Sequence, residues 1–201
     1  RPERGNWNRG TFLKWSVFEK QDTERLLFLD VDMLTLSLID KLLKLSPSTP
    51  MVTCPQFQQF IKTENTEQNL QNLLEGNFDN KHKSRINSGV MLINQALLSD
   101  NFFNEITTFA SQRLSIHEQG LLSEYFSKNR EMITMAPSKY NYQDSYLRLA
   151  KDDLYSDLLN HISIIHYAGG IKPWLQNSNS ISHLPSIKTW HQYSTLAKKI
   201  L

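Results

Sequence analysis

Cysteine is almost missing from the 201-residue chain: Cys54 stands alone, so no intrachain disulfide can form and a reducing compartment is expected. Glycine and proline are scarce at seven each, and no Gly/Ser- or Pro-rich linker or internal repeat divides the chain. An excess of one charge is missing too. Lys and Arg outnumber Asp and Glu by 22 to 20, which gives no general basic surface, and no nucleic-acid partner is expected. No apolar run approaches the roughly 20 residues that span a bilayer, and nothing resembles a signal peptide. What is present suits a globular domain with a sizeable core, since 39% of residues are hydrophobic and 21% charged.

Four short apolar runs read as buried strands: Leu26–Leu29, Gly89–Ile93, Met132–Met135 and Ile162–Ile165. Met51–Cys54 is a weaker fifth. Their hydrophobicity is continuous rather than alternating, as in a sheet covered on both faces. Helical patterns lie between them, at Phe102–Leu114 and Gln119–Phe126. Strands alternating with helices predict an α/β domain with a mainly parallel central sheet. The polar stretch Gln56–Lys83 reads as a surface insertion carrying one helix, near Glu67–Leu74. A final helix is expected over Ser186–Leu201, so the chain divides into a domain over 1–185 and a C-terminal helix over 186–201.

Two of these strands run into polar clusters, and a third is preceded by one. Leu26–Leu29 leads into Asp30-Val31-Asp32, Asn87-Ser88 stand before Gly89–Ile93, and Ile162–Ile165 leads into His166-Tyr167-Ala168-Gly169-Gly170-Ile171-Lys172-Pro173-Trp174. In open α/β sheets ligands bind beyond the carboxyl ends of strands. Asp30 and Asp32, one residue apart in an extended segment, point the same way and repel each other unless a cation joins them. Oxygen ligands favour Mg2+ or Mn2+, and an imidazole from His166 tilts the choice to Mn2+. Against this, Asp-x-Asp alone is common: Asp32 could cap a helix, and His166 could be a hydrogen-bonded core residue. The Gly169 and Lys172 loop shifts the balance, because glycine allows close approach or a positive φ and Lys172 offers a cation that suits phosphate.

These blocks resemble glycosyltransferase family 8, which includes glycogenin and bacterial lipopolysaccharide galactosyl- and glucosyltransferases. Phe28–Leu34 resembles its Asp-x-Asp strand, Ile86–Asn94 its Asn-Ser-Gly-Val strand and His117–Leu122 its Asp-Gln segment. His166–Trp174 matches its His-x-x-Gly-x-x-Lys-Pro-Trp motif, and Thr11–Trp15 resembles the segment bearing a basic donor contact. The resemblance implies a GT-A type, Rossmann-like nucleotide-sugar transferase fold. It implies a retaining hexosyltransferase that uses Mn2+, with Mg2+ as the alternative, to move a sugar from a UDP-sugar to a glycan or lipid-linked glycan, as in lipopolysaccharide biosynthesis. Asp30, Asp32 and His166 hold the metal on this reading, and the Val31 backbone faces the nucleoside. Gly169 and Lys172 contact the diphosphate. Lys14, Asn87, Ser88, Glu118 and Gln119 surround the donor sugar, with Glu118 and Gln119 in the catalytic roles.

The chain departs from the family pattern twice. Glu118 stands where the family has Asp, and only 13 residues precede Lys14, so the usual first, nucleoside-binding strand is expected to be missing. A non-catalytic sugar-nucleotide-binding relative is one alternative. A haloacid-dehalogenase-type phosphatase, in which the first Asp of Asp-x-Asp is a nucleophile, is another, but it leaves His166–Trp174 unexplained. Trp190, Tyr193, Lys198 and Lys199 in the last helix combine aromatic and basic character, and two readings stand. One is a helix packed on the catalytic domain with its lysines in water, which the small number of positive charges favours. The other is peripheral contact with the inner face of a membrane from the cytoplasm.

Overall fold

The computed structural model describes residues 10–56, 65–77, 85–113, 117–175 and 184–200. After a 3-10 helix over Phe12–Phe18 come β1 (Arg25–Leu29), β2 (Met33–Thr35), α1 (Asp40–Leu43), β3 (Met51–Pro55), α2 (Thr66–Glu75) and β4 (Ile86–Asn94). They are followed by α3 (Asp100–Ser111), α4 (Glu118–Lys128), β5 (Ile133–Met135), β6 (Tyr142–Gln143), α5 (Asp144–Leu147), α6 (Asp152–His161), β7 (Ile164–His166) and α7 (Pro185–Ile200). The chain divides into two compact units. One comprises the described residues of Arg1–Leu29, Ile39–Phe57 and Phe78–Pro137, and the other those of Asp30–Leu38, Gln58–Asn77 and Ser138–Leu201.

The first unit is built on a four-stranded sheet in the order β1-β4-β3-β5. All nine residues of β4 are buried, which is why its Val90-Met91-Leu92-Ile93 run shows no polar alternation. β1 lies at the sheet edge and is half-buried throughout. α3 and α4 cover the sheet with Phe102, Ile106, Leu121, Leu122 and Phe126, and the 3-10 helix adds Trp15 and Phe18 to the same core. Phe18 meets Phe102 edge to face, with ring centroids 5.3 Å apart, the geometry that aligns a positive ring edge with a negative face. α3 starts where the Ser99 side chain accepts from the Phe102 backbone N–H at 3.3 Å, satisfying one of the helix's orphan donors.

The second unit holds a three-stranded sheet in the order β2-β7-β6. β7 is its buried centre, with Ile164 and Ile165 inaccessible to solvent. The helix expected near Glu67–Leu74 is present as α2, but it is not a surface appendage. Asn69, Leu70, Leu73 and Leu74 are buried, and the Tyr142 hydroxyl donates to the Leu70 carbonyl at 3.2 Å. Polar residues fill the outer face of α2 and mask this inward stripe at the level of composition. Gly76 ends the helix in the left-handed region, φ 84°, as a helix-terminating glycine does.

The α/β class holds, and the expected mainly parallel sheet is corrected to a mixed one. β1–β4, β3–β4 and β2–β7 are antiparallel, whereas β3–β5 and β6–β7 are parallel. Continuous hydrophobicity reports burial on two faces and carries no information on strand direction. β7 starts two residues later than the apolar run, because Ile162 caps α6. The last helix extends over Pro185–Ile200, and Leu114 and Leu201 lie outside the described residues.

Candidate functional site

Two polar clusters occupy these units, one in each. The cluster of the second unit forms where β2 pairs with β7. Met33 lies opposite His166 in that register, and the Tyr167 N–H donates to the Asp32 carbonyl at 2.9 Å. This pairing fixes the Asp30–Asp32 bend beside the imidazole. His166 Nε2 stands 3.2 Å from Asp32 Oδ1 and 3.9 Å from Asp30 Oδ2. The Val31 side chain, between the two carboxylates in sequence, is fully exposed. One ligand atom from each of Asp30, Asp32 and His166 falls within 4.8 Å of the others. Two carboxylates and one imidazole at such separations fit a small divalent cation of the Mn2+ or Mg2+ type.

Lys172 closes this cluster. Its Nζ donates to Asp32 Oδ2 at 2.5 Å and to the Tyr167 carbonyl at 2.8 Å, and it lies 5.6 Å from the centre of the Trp174 ring. Burial alone would push the Asp32 carboxyl up, but the hydrogen bonds and charges of His166 and Lys172 outweigh it. They hold the group well below the usual carboxylate range. Gly169, in the loop between, has φ 98°. A Cβ there would meet nothing within 4 Å, so the backbone conformation rather than space calls for glycine.

The structure adds two residues to this cluster. Asn141, between the Ser138–Tyr140 turn and β6, places Oδ1 2.8 Å from His166 Nδ1. Asp144, the first residue of α5, is inaccessible to solvent, and among the described residues neither carboxylate oxygen has a hydrogen-bond partner. Burial pushes its carboxyl up to about 6, against the pull of the Arg148 guanidinium, which stands 3.4 Å away.

The cluster of the first unit gathers Lys14, Asn87, Ser88, Glu118 and Gln119. Between Thr53 and Cys54 the β3–β4 register jumps from Met91 to Asn87, so Ser88 to Val90 are extra residues on β4. A bulge of this kind re-aims side chains. Ser88 Oγ donates to Glu118 Oε1 at 2.6 Å, and Lys14 Nζ reaches the same oxygen at 3.0 Å. Gln119 Oε1 accepts from the Ser88 N–H at 3.2 Å. Glu118 is buried and opens α4, where a carboxylate suits the helix N-terminus. The His117 side chain caps that helix, Nδ1 accepting from the Gly120 N–H. Asn87 Nδ2 donates to Gln56 Oε1 at 2.7 Å. Gln56 escapes motif reading because it follows β3 at the head of a polar stretch.

A mixed α/β fold with an Asp-x-Asp pair beside a strand-end histidine is consistent with the GT-A fold of glycosyltransferases. The glycosyl transferase family 8 profile matches residues 2–178, and the chain belongs to that family. The fold is similar to that of the galactosyltransferase LgtC, solved in complex with donor and acceptor sugar analogues: TM-score 0.58, 19% identity, 89% of this chain and 65% of that one. It is also similar to the glycosyltransferase GlyE of Streptococcus pneumoniae TIGR4: TM-score 0.62, 18% identity, 92% of this chain and 43% of that one. The chain thus spans under two thirds of the length of either neighbour. No curated protein sequence matches it significantly.

Proposed function

We propose that the chain is the catalytic part of a retaining, Mn2+-dependent hexosyltransferase that moves a sugar from a UDP-sugar to a glycan or lipid-linked glycan. The observation that carries this reading is the joining of Asp30, Asp32 and His166 with Lys172 bonded to the second of those carboxylates. Asp30, Asp32 and His166 would hold the cation, which when bound supplies charge neutralisation for a departing diphosphate. Lys172 adds a fixed ammonium for the same developing charge, beside a glycine loop that the diphosphate can approach. The Val31 backbone is assigned to the nucleoside.

Glu118, Lys14, Ser88 and Asn87 are assigned to the hydroxyls of the donor sugar. The Gln119 amide, oriented through Ser88, is assigned to the anomeric centre. An amide is a poor nucleophile compared with the carboxylate of a retaining glycosidase, which supports front-side transfer over a covalent intermediate. Family membership removes the phosphatase reading, and the complete three-ligand set speaks against a non-catalytic relative.

A second reading concerns α7. Among the described residues no helix is long and apolar enough to cross a membrane. The exposed Tyr193 and Leu196, followed by the exposed Lys198 and Lys199, support peripheral docking on anionic lipid, where a lipopolysaccharide-type acceptor would be presented from the cytoplasmic side.

The experiment is turnover of a panel of UDP-sugars with Mn2+, comparing the native chain with Asp32→Ala. Metal-dependent release of UDP, lost in Asp32→Ala while circular dichroism stays native, is the expected result. Turnover of Asp32→Ala in excess chelator equal to that of the native chain would overturn the metal assignment.

A further inference from the structure

We propose that Asn141 is a positioning residue for the metal group: its carbonyl holds the His166 proton on Nδ1, so that Nε2 presents its lone pair to the cation. The proposal rests on the reading of Asp30, Asp32 and His166 as cation ligands.

An imidazole can ligate only through a nitrogen that carries no proton, and in the neutral ring the other nitrogen then carries it. Here Nε2 is the nitrogen that faces the carboxylates, at 3.2 Å from Asp32 and 3.9 Å from Asp30. In the metal-free chain Nε2 can donate to Asp32, but once Nε2 ligates a cation the proton belongs on Nδ1, and the group facing Nδ1 is Asn141 Oδ1 at 2.8 Å. His166 is 4% exposed and Asn141 2%, so solvent is a poor substitute for this acceptor. An N–H left without a partner at that depth would favour the other tautomer, in which Nε2 is blocked.

The backbone holds Asn141 in place. Its N–H donates to the Ser138 carbonyl at 2.8 Å, closing the turn that leads into β6. Two residues on, Gln143 pairs with His166 in the parallel β6–β7 register. Asn141 immediately precedes β6, so the acceptor enters from the start of the strand that pairs with the ligand's own strand. Partners of this kind behind a ligating histidine commonly tune metal affinity 10- to 100-fold.

The test uses the whole chain and Mn2+ alone, with free Mn2+ read from its paramagnetic resonance signal. Asn141→Leu, which keeps the shape and removes the carbonyl, should weaken Mn2+ binding about 10- to 100-fold. Asn141→Asp, whose carboxylate accepts the same proton, should bind within a few-fold of the native chain. Equal weakening in both variants would mark a merely structural role and overturn the proposal, as would native affinity in Asn141→Leu.

A second measurement needs no variant. In the Zn2+-loaded native chain labelled with 15N-histidine, His166 should show a protonated Nδ1 and a metal-shifted Nε2. An unprotonated Nδ1, with the Asn141 amide donating to it instead, overturns the proposal even if the variants fail to fold. His166→Ala separates the two levels of argument. Undiminished Mn2+ binding in His166→Ala rejects the metal site itself, whereas loss there with normal binding in Asn141→Leu rejects only the role of Asn141.

Discussion

Lys172 and Asp32 are joined through one carboxylate oxygen while the other remains turned to His166: Nζ bonds Oδ2, and Oδ1 faces Nε2 at 3.2 Å. The lysine thereby orients the carboxylate proposed to hold the cation without covering its second oxygen. Lys172→Ala removes both this support and the ammonium assigned to the leaving diphosphate. The expected outcome is a fall in transfer rate of about 100- to 1,000-fold, the scale of losing one preorganised charge-stabilising donor. Binding of the acceptor alone should change little. Pre-steady-state turnover beside acceptor titration checks this, and a collapse of acceptor affinity with normal transfer from bound donor would move Lys172 to the acceptor site.

The same pair has a consequence for acid stability. Asp32 is held below its ordinary range despite burial, by His166 and Lys172. A depressed carboxyl stabilises the fold above the ordinary carboxylate range, and that contribution is lost as pH falls through the folded value. Lys172→Ala should therefore cost more stability near neutral pH than in acid, as urea unfolding at both would show. An equal cost at the two pH values would place the effect in packing against Trp174.

Glu118 stands in the segment that resembles an Asp-Gln pattern, and its longer side chain spans two partners. Its Oε1 reaches both Ser88 Oγ at 2.6 Å and Lys14 Nζ at 3.0 Å. Glu118→Asp withdraws the carboxylate by one C–C bond, about 1.5 Å, too far to keep both contacts without backbone movement. A loss of about 1–2 kcal/mol is expected from the strained or broken bonds, with a change in preference across a UDP-sugar panel. Unaltered stability and unaltered donor ratios together would remove Glu118 from both roles.

The residues that could be found from sequence are those fixed to strand ends by local pattern. Asp30, Asp32 and His166 follow apolar runs that the structure keeps as β1 and, shifted by two residues, β7. Their convergence depends on β2, whose three residues are too few to show a period. Asn141 was not legible at all. It lies 25 residues from His166, after a 3-10 turn and before a two-residue strand, and only the β6–β7 ladder brings the two together. Gln56 and the buried face of α2 were hidden for another reason. Polar composition averaged over Gln56–Lys83 conceals Leu70, Leu73 and Leu74, which recur at helical spacing inside it.

Asp144 gives a prediction of opposite sign to Asp32. Burial raises its carboxyl to about 6, so the folded chain holds the proton more tightly than the unfolded one. Such a group contributes most stability below the ordinary carboxylate range, and the contribution is lost as pH rises through about 6. A rise of about two pH units corresponds to about 3 kcal/mol, partly offset when Arg148 loses its partner. Asp144→Asn, which stays neutral, should therefore be the more stable chain at neutral pH and near parity in acid. Urea unfolding at both pH values checks it. A native chain more stable than Asp144→Asn at neutral pH would show that the Arg148 pair outweighs the cost of burying the charge.

The reading of α7 as a membrane contact leads to the last prediction, and the burial along the helix decides how it must be tested. Ser186, Ile187 and Thr189 are buried, and the Thr189 hydroxyl lies 3.2 Å from that of Tyr155. Cutting the chain near Pro185 would remove these anchors along with the surface in question. The last turns are different: Tyr193 is 38% and Leu196 55% exposed, and Lys198 and Lys199 are exposed beyond them. Each lysine near an anionic surface contributes about 1 kcal/mol, screened by salt. A full-length chain bearing Leu196→Ser, Lys198→Ala and Lys199→Ala should fold as before, yet sediment with phosphatidylglycerol vesicles at least tenfold less well at low salt. Both chains should ignore neutral phosphatidylcholine vesicles. Equal sedimentation of variant and native chain, or no binding by either, would leave α7 as a helix that packs through its first turns and meets only water with its last.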